Sequence, residues 1–223
     1  NYNPKTARLY TDIGYLTADP RLTSEADALL LQIASQSRGH APRHLVTAPF
    51  QMHRRLTKLV RRVAKAARER RPARIVLKLN ALTEPGLIEE LVAAARAGAR
   101  VDLIVRGACL LRPGVAGRTD NVRVRSVVGR FLEHTRVLYF RWGPGDDDEA
   151  LYLSSADWMP RNMFRRIELA WPVRDRVLRQ RLIDEALVPY LCDEADAWTL
   201  LPDGSYARVA SSGPSRTNAR KFG

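Results

Sequence analysis

Two apolar runs restrict the fold more than anything else in the chain. They are "RIVLKLN" (Arg74–Asn80) and "VDLIVRG" (Val101–Gly107). The segment between them, "PGLIEELVAAARAG" (Pro85–Gly98), has Pro near its start and Gly at its end, the asymmetry of a helix. Strand, helix and strand at this spacing predict a βαβ unit, a parallel pair joined by a right-handed crossover. Upstream, Phe50–Arg71 reads as a long amphipathic helix with Met52, Leu56, Leu59, Val60, Val63 and Ala67 on one face. Downstream, "VRVRSVV", "RVLYF", "ALYLSS" and "RIELAWPV" are four more strand-like runs, and Arg174–Leu191 closes the domain as a helix. The class is α/β: a mixed, mainly parallel sheet flanked by helices.

The first forty residues follow a different pattern. Arg8–Thr17 alternates as a strand, and a Thr/Ser–x–x–acid start predicts a helix from about Ser24. Arg38–His44 carries Gly, Pro and charge without periodicity and reads as a linker. After Leu201 the chain is polar and basic and reads as a loose tail.

An internal repeat joins the two ends. "NYNPKTARLYTDIGYLTADPRL" (1–22) aligns without a gap on "DWMPRNMFRRIELAWPVRDRVL" (157–178). Pro4 meets Pro160, Asp12 meets Glu168, Tyr15 meets Trp171 and Asp19 meets Asp175. A strand-plus-helix pattern does not require those matches. The expected organisation is therefore the C-terminal end of one domain (1–40), a complete second copy (41–203) and a polar basic tail (204–223). The chain opens on Asn1 rather than Met, which suggests a piece of something larger.

Charge narrows the partner. Lys and Arg number 37 against 24 Asp and Glu, a net charge of +13. A fold does not need that excess, so it points to an anionic partner; a basic halo kept for solubility is the alternative. No apolar run approaches the ~20 residues of a spanning helix. The two cysteines, Cys109 and Cys192, lie far apart and suit a reducing cytoplasm.

At the mouth of one strand stands "FLEHTRVLYF", with Glu133, His134 and Arg136. A histidine there is by itself more often structural. Its neighbours change that reading. "NYNPKTARLYTD", "LTADPRLTSE", "IVLKLNALTEPGLIEEL", "LIVRGACLLRPG", "DNVRVRSVVGRFLEHTRV" and "LYLSSADWMPRNMFRRIELAWPV" resemble the C-terminal catalytic half of type-1 polyphosphate kinases, over nearly the whole chain. That family is built on two tandem phospholipase D-like domains, which accounts for the repeat. The resemblance implies reversible transfer of the ATP γ-phosphate to inorganic polyphosphate through a phosphohistidine.

The resemblance also distributes roles. Phospholipase D-like sites use one His–x–Lys motif per domain; here the second copy reads His134–Thr135–Arg136, with arginine in place of lysine. An imidazole can move a proton near neutral pH, and a fixed cation beside it can steady phosphoryl oxygens. The phosphorylated histidine and the Mg²⁺ ligands are expected upstream of Asn1, so His134 is the partner histidine and the chain alone is not expected to turn over. ATP enters as substrate. Tyr10 resembles an adenine-stacking tyrosine, or else fills the first-domain core. Arg106 resembles an ATP-phosphate ligand at the end of a buried parallel strand. Lys5, Arg8, Arg161, Arg165 and Arg166 cluster in the repeated endings and form the expected polyphosphate line, which Lys78 joins. Glu133 is assigned only a weak tuning role.

The helix Arg54–Arg71, with nine Lys and Arg and one acid, reads as a solvated outer face; a polyphosphate path or a headgroup contact is the alternative. Arg123 and Arg125 share one strand face and receive no role. "GPGDDDE" (Gly143–Glu149) reads as a hairpin turn rather than a metal site. The expected partners are ATP or ADP and polyphosphate, without nucleic acid. By resemblance the protein forms homo-oligomers and is cytoplasmic, with peripheral association at the inner face of the membrane. Two other readings stay open: a phospholipase D-like hydrolase using water as acceptor, and a non-catalytic polyanion-binding module. "LSSADWMPRN" approaches the hydrolase pattern, while "LTADPRL" and "LIVRG" favour the kinase.

Overall fold

The computed structural model describes residues 3–37 and 42–210. In chain order they form β1 (Tyr10–Thr11), α1 (Pro20–Ser35), β2 (Val46–Ala48), α2 (Met52–Arg68), β3 (Arg74–Leu79), α3 (Pro85–Arg96) and β4 (Arg100–Val105). There follow β5 (Val122–Val127), β6 (Leu132–Glu133), β7 (Arg136–Arg141), β8 (Glu149–Ser154), α4 (Pro160–Phe164) and β9 (Glu168–Pro172). The series ends with α5 (Arg176–Ala186), α6 (Val188–Cys192), β10 (Ala197–Leu200) and β11 (Tyr206–Arg208).

Nine strands make one mixed sheet in the order β11-β10-β5-β4-β3-β7-β8-β9-β2. The βαβ unit is present: β3, α3 and β4 give a parallel pair, and β5 extends it in parallel. Pairings outward from these three strands are antiparallel, because β7, β8 and β9 follow one another through short connections.

Helices cover both faces. Ile75, Leu77 and Leu79 of β3 point to α2 and α3, into a core that includes Leu56, Val60, Leu87 and Leu91. Val76 of β3 and Ile104 of β4 point the other way, against Leu182, Ile183 and Leu187 around α5. Each fully buried aliphatic side chain of this kind contributes roughly 1.5–3 kcal/mol. α3 is held by Glu84, whose carboxylate accepts from the Gly86 and Leu87 amides at 3.2 and 2.6 Å, while Pro85 sets the first turn. At the other end of α3, Gly98 turns the chain at φ +102°, a conformation that side chains with a Cβ resist.

Four local expectations need correction. The helix expected from Ser24 starts at Pro20, because Asp19 caps the Arg21 amide at 3.0 Å and Pro20 is already set for helical φ. The strand expected over Arg8–Thr17 pairs only at Tyr10–Thr11, where its sole partner among the described residues is the two-residue β6. The helix expected over Arg174–Leu191 breaks at Leu187, since Pro189 cannot continue it. The stretch after Leu201 is not wholly loose: β11 pairs with β10 around the Pro202–Asp203–Gly204 turn. Part of the expected linker, residues 38–41, lies outside the described residues, as do 211–223. At the end of that linker the Arg43, His44 and Leu45 amides donate to Glu25 of α1 at 2.8–3.1 Å, joining the first segment to the second.

Candidate functional site

The parallel strands β3 and β4 finish at Leu79 and Val105, on the edge where β7 begins, with Val137 opposite Lys78. β6, just before β7, pairs in parallel with β1, so Thr11 stands opposite Glu133. The next residue on each strand is therefore brought alongside the other, and these are Asp12 and His134. His134 and Arg136, two apart on extended backbone, project the same way.

A chain of polar contacts results. The Asp12 carboxylate oxygens lie 3.1 and 3.3 Å from His134 Nδ1, and Arg136 Nη1 lies 3.1 Å from His134 Nε2. A guanidinium can only donate, so Nε2 accepts, and the network assigns the ring proton to Nδ1, facing Asp12. Arg136 Nε and Nη2 donate to the two oxygens of Asp157 at 3.2 and 2.9 Å, a bidentate pair. Asp157 Oδ1 also accepts from the Asn80 amide at 2.7 Å, tying the arginine to the end of β3. Tyr10 meets the imidazole edge-on, with ring centroids 5.2 Å apart.

Tyr10, Asp12, His134 and Arg136 line a cleft of about 640 Å³ together with Ser154, Ser155, Arg166, Glu168 and Trp171. On that side Glu168 accepts from Asn162 Nδ2 at 2.6 Å and Ser155 Oγ at 2.5 Å. Asp12 and Glu168 are equivalent positions of the internal repeat, so one carboxylate from each copy faces the same cavity. Asp12, Asp157 and Glu168 were missed as site residues in the sequence. The repeat held the signal for two of them: of its two matched acid pairs, Asp19 and Asp175 cap helices, which leaves Asp12 and Glu168 without a local role.

Behind the histidine lies a second network. Glu133 Oε2 accepts from Thr11 Oγ1 at 2.9 Å, Lys78 Nζ at 2.9 Å and Tyr190 OH at 2.6 Å. The Lys78 ammonium also sits 3.3 Å from the centroid of the Tyr190 ring, a cation–π contact. Burial by itself raises the Glu133 carboxyl, but bonds from Tyr190, Lys78 and Thr11 outweigh it and hold the group below its usual range. Burial lowers the Lys78 amine, only partly offset by Glu133. Burial and Glu133 together push the Tyr190 phenol up. Glu133 thus points away from the imidazole and fastens β1 to β6.

Lys78 does not join an exposed basic line. It shares its strand face with Val76, and α5 and α6 cover that face, leaving the residue 3% exposed. Tyr10, His134, Arg136 and Arg166 line the cleft. Lys5, Arg8, Arg161 and Arg165 are exposed on the flanking segments but not on its wall. Arg106 is half-buried just past β4, on the same sheet edge but outside the cleft wall. Gly107 serves an internal approach: its amide donates to Asn80 O at 2.8 Å, and an added Cβ would lie 2.9 Å from that oxygen. Arg125 is held by the Tyr190, Leu191 and Asp193 carbonyls, whereas Arg123 is exposed and its role is unexplained. Asp146 and Asp147 in the acidic turn pair with Arg176 at 3.0 and 3.2 Å.

A carboxylate-oriented imidazole and a clamped guanidinium at one edge of an α/β sheet are groups whose chemistry suits an oxyanion such as phosphate. Comparison with known proteins gives that chemistry a family. Residues 1–39 match "Polyphosphate kinase C-terminal domain 1" and residues 45–220 match "Polyphosphate kinase C-terminal domain 2". The chain is 47% identical over 220 residues to a polyphosphate kinase of Paraburkholderia phytofirmans, covering 99% of this chain and 31% of that protein. It is 48% identical over 208 residues to one of Burkholderia multivorans, covering 93% and 30%. The crystal structure of polyphosphate kinase from Porphyromonas gingivalis superimposes with a TM-score of 0.89 at 33% identity, over 97% of this chain and 33% of that one. The chain belongs to the polyphosphate kinase family and spans about a third of the length of these relatives.

Proposed function

We propose that this chain forms part of the catalytic half of a polyphosphate kinase that reversibly transfers the ATP γ-phosphate to inorganic polyphosphate. The observation behind this is the Asp12–His134–Arg136–Asp157 relay at the mouth of a cleft, within a chain of this family. In the proposed reaction a histidine outside this chain attacks the γ-phosphorus. The bond to ADP breaks as a P–N bond forms; that bond then breaks as the terminal oxygen of polyphosphate takes the phosphoryl group.

His134 moves a proton at the leaving or entering oxygen. Asp12 fixes its ring, as a carboxylate does for a general base. Arg136, immobilised by Asp157, meets the charge spread over the transferring oxygens. Tyr10 supplies a ring for the nucleotide and Arg106 a phosphate contact. Arg166, with Lys5, Arg8, Arg161 and Arg165, attracts the polyanion, and affinity should fall with salt. Magnesium would shield phosphate charge, but among the described residues no group of three or more His, Cys, Asp or Glu side chains could hold a metal. Likewise, no helix among the described residues is long and apolar enough to cross a membrane; peripheral association and homo-oligomerisation remain part of the proposal.

The test uses the full-length parent enzyme. [γ-³²P]ATP should be converted to acid-insoluble polymer, and His134→Ala should lower that rate by about 10²- to 10⁴-fold, the usual worth of a positioned acid–base. Phosphodiester hydrolysis without polymer would replace the kinase by a hydrolase. Polymer formation unaffected by His134→Ala would remove the histidine from the mechanism.

A further inference from the structure

α2 is amphipathic in an unusual way. Its buried face holds Met52, Leu56, Leu59, Val60 and Val63. On the opposite side Arg54, Lys58, Arg61, Lys65 and Arg68 recur at spacings of four, three, four and three. At 3.6 residues per turn these five fall within an arc of about 80°, along a line of about 21 Å. All five are exposed.

Helix stability does not explain this stripe. Neighbouring like charges at these spacings repel, and cations in the first turn oppose the helix dipole. Even so, the first turn of α2 contains Arg54 and Arg55 and no acid, and Gln51 provides no side-chain cap. Arg61 is matched by Glu90 at 2.5 Å and Lys65 approaches Glu69 at 3.8 Å. Arg54 and Lys58 have no hydrogen-bond or ion-pair partner among the described residues. Cations on the helix flanks behave differently: Arg62 lies on the Trp142 ring at 3.9 Å, and Arg55 reaches Tyr152 OH at 3.5 Å. The flank residues have work within the fold, while the start of the outward line does not.

That line begins beside the candidate site. His53, next to Arg54, packs on Phe164 of α4 with ring centroids 5.1 Å apart. Arg161 and Arg165 flank Phe164 and are exposed, and Arg166 is in the cleft wall. A run of cations therefore leads from the cleft over α4 and out along α2.

We infer that the outward face of α2 is a docking track for inorganic polyphosphate, holding the part of a long chain that extends beyond the cleft. This rests on the kinase reading above. A linear polymer with charge on every unit matches a straight cationic line without needing pockets or stacking rings, and the line itself consists of Arg and Lys alone. The interaction depends on chain length, because only a chain that fills the cleft and overruns it reaches Lys58.

The experiment measures binding of tripolyphosphate and of long-chain polyphosphate to the full-length parent enzyme and to its Arg54→Glu/Lys58→Glu variant, across a salt series. Circular dichroism checks that α2 is retained; an acid in its first turn favours the helix. In the variant, long-chain affinity should drop roughly tenfold or more, with a salt slope shallower by about 1 to 2 units. Tripolyphosphate affinity should not change. An equal loss for both ligands, or no loss for the long chain, overturns the track. Stronger competition by single-stranded RNA than by polyphosphate of matched charge would assign the face to nucleic acid and also overturn it. If the unaltered full-length enzyme bound neither phosphate polymer, the kinase reading itself would fail, and the track with it.

Discussion

Replacing Glu133 by Gln should separate the two halves of the site without touching a residue of the cleft wall. In the native chain one carboxylate oxygen takes hydrogen bonds from Thr11, Lys78 and Tyr190, at 2.9, 2.9 and 2.6 Å. The Lys78 side chain is 4% exposed and that of Glu133 17%, so the pair is poorly screened by water. Gln keeps an acceptor but removes the charge, leaving an enclosed ammonium without its counter-ion. Breaking one partner of a buried pair costs about 3–5 kcal/mol, whereas replacing both partners is often close to neutral. Gln can still accept a bond, so the expected loss is near the lower end, roughly 3 kcal/mol, or a Tm drop of about 6–12 °C for a domain of this size. Urea unfolding of Glu133→Gln, Lys78→Met and the double variant would measure the coupling as a cycle. The double variant should recover most of the loss. A Glu133→Gln loss below about 1 kcal/mol, or a double variant no better than the single, would refute the claim that this ion pair anchors β1 to β6.

Acid should release the first segment before the domain unfolds. Glu133 and Glu25 both bind that segment, and both carboxyls are held below their usual value, Glu25 because the Leu45, Arg43 and His44 amides outweigh its burial. A depressed folded value means that the stabilisation is fully present above the unfolded pKa near 4.5 and is lost as pH falls through the folded values. Hydrogen exchange at residues 10–35 should therefore accelerate below about pH 4.5 while β3 and β4 stay protected; simultaneous loss of both would contradict this. Gly107→Ala should cost about 1–3 kcal/mol, because its Cβ meets a backbone carbonyl that cannot swing aside. A neutral Gly107→Ala in the same unfolding assay would show that β3 and β4 can part at that end.

Much of the architecture was readable because it depends on short-range pattern. Continuous apolar runs at 74–80 and 101–107, with Pro85 and Gly98 bracketing a helix, define a βαβ unit whatever surrounds it. The repeat and the quoted motifs led to the family and to the His–x–Arg pair. The helix stripe was visible too, since 3.6-residue spacing alone sorts Arg54 and Lys58 from Leu56 and Val60.

Partners distant in sequence had to come from the tertiary structure. Strand alternation put Lys78 opposite Leu77 and Leu79, but whether that face met water or α6 depended on how residues 188–192 fold back, and Tyr190 covers it. Asp12 gave no local sign of its role; a two-residue parallel pairing to residues more than a hundred positions away sets it against His134. Asp157 likewise clamps Arg136 because the chain beyond β8 returns past the end of β3. Sequence periodicity reports which side a residue leaves its own backbone. What lies on that side is decided by packing.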